Sequence, residues 1–184
     1  MRILIVAGSA VLLCASVALI VGCPPANSGT SVPDFALPQV RGGTFHLRSS
    51  QPGPVLLAFL QTVPDTADTP SRSQVVSLMS MAQQYGPRGL RVAVIDASTL
   101  VSHRPPSHDA LVNASYDSHM DVPLLEDEGN QIARRLGVTV IPTLILIAPD
   151  GKISQHWQGL TQPALLAQGI ERLLGGPLGR LPTF

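Results

Sequence analysis

Cysteine is nearly absent from this chain. Of its 184 residues two are cysteine, Cys14 and Cys23, and residues 24–184 contain none. The thiolate is the attacking atom in disulfide exchange and in peroxide reduction, so residues 24–184 alone hold no atom that could perform either. An excess of one charge is also missing, with 12 Lys and Arg against 12 Asp and Glu. No basic run creates the field that holds a nucleic-acid backbone, and nucleic acid is excluded as an expected partner. The five histidines, His46, His103, His108, His119 and His156, show no H-x-x-x-H and no clustered spacing. They read as solvated loop residues, so no metal and no cofactor are expected. Asp117, His119 and Asp121 alternate and would share a face only if the segment were extended. Glu126-Asp127-Glu128-Gly129 lacks the EF-hand ligand order and reads as an acidic turn. There is no G-x-S-x-G for hydrolase chemistry. Aromatic residues are only 4%, and Tyr116 and Trp157 read as packing residues rather than as a ligand platform.

What is present begins with an export pattern. Arg2 is followed by an uncharged, apolar stretch from Ile3 to Gly22, and Cys23 stands directly before the polar break. One positive residue, an apolar run and then small residues make a secretory signal. An uncleaved membrane anchor is the alternative, since the stretch reaches the ~20 residues that a spanning helix needs. Ile20-Val21-Gly22-Cys23 resembles the bacterial lipobox, which implies lipid attachment at Cys23 after removal of residues 1–22. That removal leaves 11 basic against 12 acidic residues, a net charge of −1. Residues 23–31, Pro- and Ser-containing after the cysteine, read as a lipidated linker. A folded domain is expected over 32–178 and a short tail over 179–184. Cell-membrane attachment facing outside the cytoplasm follows from either reading of the N-terminus.

The body alternates buried runs with helical patterns, the order of an α/β domain with a central sheet. Phe35–Pro38 and Thr44–Leu47 flank Arg41-Gly42-Gly43 as a hairpin. Val55–Leu60 and Leu90–Ile95 read as buried strands, the second closed by Asp96. Asp68-Thr69-Pro70 offers a cap and a first-turn proline for a helix carrying Val75, Leu78, Met79 and Ala82, ended by Gly86-Pro87. Residues 97–108 read as a loop. Helices are expected over 109–118 and 130–136, with Leu111, Ala114 and Tyr116 the less polar positions of the first. Val122–Leu125 reads as a short extended piece. Thr143–Ala148 and Ile153–Trp157 flank a Pro149-Asp150-Gly151-Lys152 hairpin turn. A closing amphipathic helix spans Pro163–Leu174, with Leu165, Leu166, Ile170 and Leu173 on one side.

This order, with Pro33-Asp34-Phe35 and with Gly137-Val-Thr-Val-Ile-Pro142-Thr143 running into a strand and a D-G turn, resembles the thioredoxin-like superfamily. The likeness is to its exported redoxin branch of TlpA/ResA-like and AhpC/TSA-like proteins. It implies a thioredoxin-like fold, with a mixed central β-sheet flanked by helices and an N-terminal β-hairpin. It also implies a cis bond before Pro142, beside the active-site loop. The family's C-x-x-C, placed after Thr62, falls on Val63 and Thr66. Its C-x-x-x-C falls on Val63 and Ala67, and its T-x-x-C, placed on Thr69, ends at Arg72. None of these side chains can attack or be oxidised.

The expected function is therefore a non-catalytic binding or scaffold module for a protein or peptide partner, with no catalytic residue. The candidate contacts are Thr69, Ser71, Arg72, Pro142 and Thr143. The first three would gather donors at a helix start, whose backbone N–H groups attract anions. Two alternatives are an antioxidant or thiol-pathway protein acting through a partner's cysteines, and a metal carrier.

Overall fold

The computed structural model describes residues 29–49, 53–63 and 70–175. Apolar residues flank a five-stranded sheet on both sides. Strands β3 (Val55–Leu60), β4 (Arg91–Asp96) and β5 (Leu124–Leu125) run parallel, and β6 (Thr143–Ile147) and β7 (Ile153–Gln158) are antiparallel, in the order β5-β4-β3-β6-β7. Every residue of β3 and of β6 is buried, as continuous apolar runs demand when both faces of a sheet are covered. Strands β1 (Ala36–Pro38) and β2 (Thr44–His46) form the separate N-terminal hairpin. This is the thioredoxin-like α/β architecture that the motif order implied.

Alternation along the strands sorts the core into two layers. Leu56, Ala58 and Leu60 point toward helix α1 (Pro70–Tyr85), α3 (His108–Asp117) and α5 (Pro163–Leu174). Leu57 and Phe59 point toward the hairpin and helix α4 (Gln131–Arg135). On α5 the buried stripe is Leu166, Gly169 and Ile170, while Leu165, expected on the apolar side, is 47% exposed. Gly169 is buried because the Trp157 ring occupies the space; a Cβ there would lie 3.0 Å from it. Trp157 is the packing residue expected. Tyr116 is not: it is 60% exposed, and the Arg41 guanidinium stacks 4.3 Å from its ring centre. Arg41 also donates to the Ser115 carbonyl at 2.5 Å and hydroxyl at 3.0 Å, which straps the hairpin to α3. Here a neighbouring cation, rather than apolar packing, covers the ring.

Residues 97–108, expected as a loop, contain a one-turn helix, α2 (Thr99–Ser102). It carries no helical apolar repeat and depends on backbone bonds such as that from Ser102 N–H to the Ser98 carbonyl, 2.9 Å. Asp117, His119 and Asp121 do not lie on an extended face. Asp117 ends α3, and His119 turns the chain with φ of 49°. Asp127 of the acidic turn is buried, and its carboxylate accepts the Ile132 and Ala133 N–H groups at 2.9–3.0 Å, satisfying the start of α4. Asp68 and Thr69, expected to cap α1, lie outside the described residues.

Where α1 and α5 meet, the buried Tyr85 donates its hydroxyl to Glu171 at 3.0 Å. Burial first, then that bond and the charge of Glu171, raise its pKa above the ordinary 10.0, while Arg88 opposes them. The neutral phenol is favoured in the folded state. Its stabilisation is complete below the ordinary value and is lost as pH rises through the raised one. Urea unfolding followed above about pH 10 should show a shallower alkaline decline in Tyr85→Phe than in the parent chain. Equal slopes would contradict the assignment.

Candidate binding surface

Strand register gathers four loops at one end of the sheet. Leu60 stands opposite Asp96, Phe59 opposite Thr143, and Thr143 opposite Gln158. The loops after β3, β4 and β7 and the loop before β6 therefore share that end. Because β3 and β4 are parallel there, both of their C-termini open onto it, which is where α/β sheets commonly hold ligands.

Side chains that sequence reading assigned as contacts, or passed over, hold these loops together. The Asp96 carboxylate oxygen Oδ1 accepts the hydroxyls of Thr62 and Ser98, each at 2.5 Å. Ser98 Oγ in turn accepts the Thr62 N–H at 3.1 Å and the Val63 N–H at 3.0 Å. Thr62, Asp96 and Ser98 are all buried, so each bond satisfies a polar group that would otherwise lose its hydration on folding. Ser71 is buried in the first turn of α1, where its hydroxyl accepts the Gln61 N–H at 3.0 Å. Gln74, fully buried one turn further on, accepts the Thr161 N–H at 2.8 Å and fixes the loop between β7 and α5. Gly159 N–H donates to the Pro142 carbonyl at 2.7 Å, joining that loop to the one before β6. Thr143, also fully buried, donates its hydroxyl to the Val140 carbonyl at 2.7 Å. The Ile141–Pro142 bond is cis, as expected for this motif.

Of the candidate contacts, Ser71, Pro142 and Thr143 are thus brought to one end of the sheet, but as buried supports. Arg72 is half-buried in the first turn of α1, and Val63 is half-buried just after β3. Thr66, Ala67 and Thr69 lie outside the described residues. Among the described residues the large apolar side chains that this end of the sheet presents to solvent are Val140, 46% exposed, and Leu160, 59% exposed, beside the exposed polar Thr139, Gln158 and Gln162. Neither was singled out from sequence. The signal available was an apolar residue in each of two loops, one within the Gly137–Thr143 motif and one just after Gly159. Among the described residues no three His, Cys, Asp or Glu side chains converge as metal ligands.

The AhpC/TSA family model matches residues 28–156, and the chain belongs to this family. It is 24% identical over 145 residues to the thiol-disulfide oxidoreductase ResA of Bacillus thuringiensis subsp. konkukian, with 79% of this chain and 78% of that protein covered. A Chlorobium tepidum structure described as a thiol:disulfide interchange protein DsbE superposes with a TM-score of 0.69 at 23% identity, covering 81% of this chain and 99% of that one. A thiol-disulfide oxidoreductase from Bacteroides fragilis gives 0.63 at 20% identity, with 78% and 99% covered. At these identities the structural likeness is one of fold.

Proposed function

We propose that this chain is a membrane-anchored, extracytoplasmic binding module of the redoxin fold that does not itself exchange disulfides. The observation that carries the reading is chemical. No cysteine follows residue 23, so whichever of the family's motifs is laid on the chain, its cysteines fall on Val63 and Thr66, on Val63 and Ala67, or on Arg72. With Cys23 acylated and Cys14 removed with the export segment, no thiol remains. No helix among the described residues is long and apolar enough to cross a membrane. Anchoring therefore rests on Cys23 and the segment before it.

The partner binds the end of the sheet that carries Val140 and Leu160. Support comes from how the four loops are held. Buried Ser71, Gln74, Asp96, Ser98 and Thr143 spend their polar groups on loop backbone and on one another, and the apolar Val140 and Leu160 stand exposed on the loops they fix. A pre-fixed apolar platform binds at a lower ordering cost than a mobile one. An extended peptide with apolar side chains suits it.

Insulin reduction and peroxide consumption test the chemistry. The purified chain should give no turnover above buffer, and steady turnover at low protein concentration would refute the reading. Intact mass should show Cys23 carrying lipid, and a Cys23 that iodoacetamide alkylates would remove the anchor. A second reading draws on the thiol-disulfide oxidoreductases to which the chain is similar: it serves a thiol pathway through a partner's cysteines. That version predicts a stable complex with a cysteine-bearing exported protein and a shifted thiol balance when this chain is deleted. Absence of both would dismiss it.

A further inference from the structure

A second concave feature lies away from the loops just described. A cleft of about 220 Å³ is lined by Thr30, Ser31 and Pro33 on one side and by Arg134, Arg135 and Gly137 on the other. It lies beside the start of β7, where Ser31 bridges Lys152 and Ile153 N–H donates to the Thr30 carbonyl at 2.8 Å. Ile153 pairs with Ile147, at the end of β6 remote from Thr143. Four residue steps of strand separate the two, about 13 Å. The cleft is therefore distinct from the proposed partner surface.

We propose that this cleft binds a phosphate-type oxyanion. The Arg134 guanidinium donates to the Gly129 carbonyl and to no carboxylate among the described residues, and the Arg135 guanidinium has no hydrogen-bond or ion-pair partner there. The hydroxyls of Thr30 and Ser31 are likewise unengaged among the described residues. The acids nearest in sequence are mostly spoken for. Asp34 accepts the Phe35 and Arg48 N–H groups, Asp127 caps α4, and Asp150 pairs with Lys152 at 3.4 Å. Glu128 is exposed on the adjoining turn. The negative end of α4 attracts cations to its last turn, and that alone accounts for arginines at 134 and 135. It does not account for two hydroxyl residues lining the same cleft. Guanidinium forks with hydroxyl donors suit the several acceptor oxygens of a phosphate group.

The phosphate belongs either to a lipid headgroup or to a free phosphate. The headgroup source rests on the anchor reading, because Cys23 lies six residues before Gly29, at most about 20 Å of chain. The free source does not depend on it. A bound headgroup would turn the partner surface away from the bilayer.

The full chain in detergent should be titrated with inorganic phosphate while the Ser31 and Gly137 amides are followed by NMR. The same chain in nanodiscs should be compared in phosphatidylcholine with and without phosphatidylglycerol. We expect saturable shifts at both amides, weakened about tenfold by Arg135→Gln and further by Arg134→Gln with Arg135→Gln. Urea stability serves as the check that the variants fold. A response to phosphatidylglycerol alone assigns a headgroup, a response to inorganic phosphate alone assigns a free phosphate, and both support the site. No response to either, or a response that Arg135→Gln leaves unchanged, overturns it. Intact mass of the same sample separates the two readings: an unacylated chain that still titrates loses the headgroup and keeps the site.

Discussion

Replacing Asp96 with alanine should cost about 3 kcal/mol of unfolding free energy, from three hydrogen bonds to one buried oxygen at about 1 kcal/mol each. The carboxylate is buried and accepts Thr62 Oγ1 and Ser98 Oγ at 2.5 Å. Its loss also frees Ser98, which holds the Thr62 and Val63 N–H groups at 3.0–3.1 Å. Hydrogen exchange at those two amides should rise more than exchange in β3 behind them, because the damage begins locally. Asp96→Asn keeps one acceptor oxygen and should cost roughly half as much. Urea unfolding reads the total. A cost below about 1 kcal/mol for the alanine variant would show that the cluster does not hold the loop.

Val140→Asp combined with Leu160→Asp should abolish binding at the end of the sheet while leaving the fold alone. Both side chains are largely exposed, at 46% and 59%, so their replacement should change stability by no more than about 0.5 kcal/mol. A charge on each of two apolar contacts should weaken affinity by about 100-fold, since few residues supply most of the energy of an interface. An array of extended apolar peptides, probed with parent and variant chains at equal concentration, measures this. Retained binding by the double variant would move the interface elsewhere. Ser71→Ala makes the contrast. It should loosen the Gln61 N–H and lower stability by about 1 kcal/mol, with a smaller effect on peptide binding, because its hydroxyl faces inward.

Most of the fold was legible along the chain because its signals are local. Pro149-Asp150-Gly151-Lys152 makes the β6–β7 turn, with Gly151 at φ of 83° and Lys152 N–H held by Asp150 at 3.0 Å. The continuous runs 55–60 and 143–147 became central strands because both of their faces are covered. Leu165 misled because helical spacing specifies an apolar side but not its width. Only the docking of Leu166, Gly169 and Ile170 against Trp157 and the sheet sets that width. Tyr116 misled for a related reason, since its cover is Arg41, 75 positions away in sequence.

The sequence by itself determined which chemistry residues 24–184 lack, because an absent thiol needs no geometry to be absent. It also determined the element order and the position of the Gly137–Thr143 motif. Only the tertiary structure decided which polar side chains face inward. Ser71, Gln74 and Ser98 are hydrophilic by composition, yet they are buried because loop N–H groups at the end of the sheet need partners where water is excluded. The tertiary structure also decided that Val140 and Leu160, apolar by composition, face solvent. Such satisfaction of backbone groups has no signature in local spacing, since the partners lie 10, 87 and 36 residues apart.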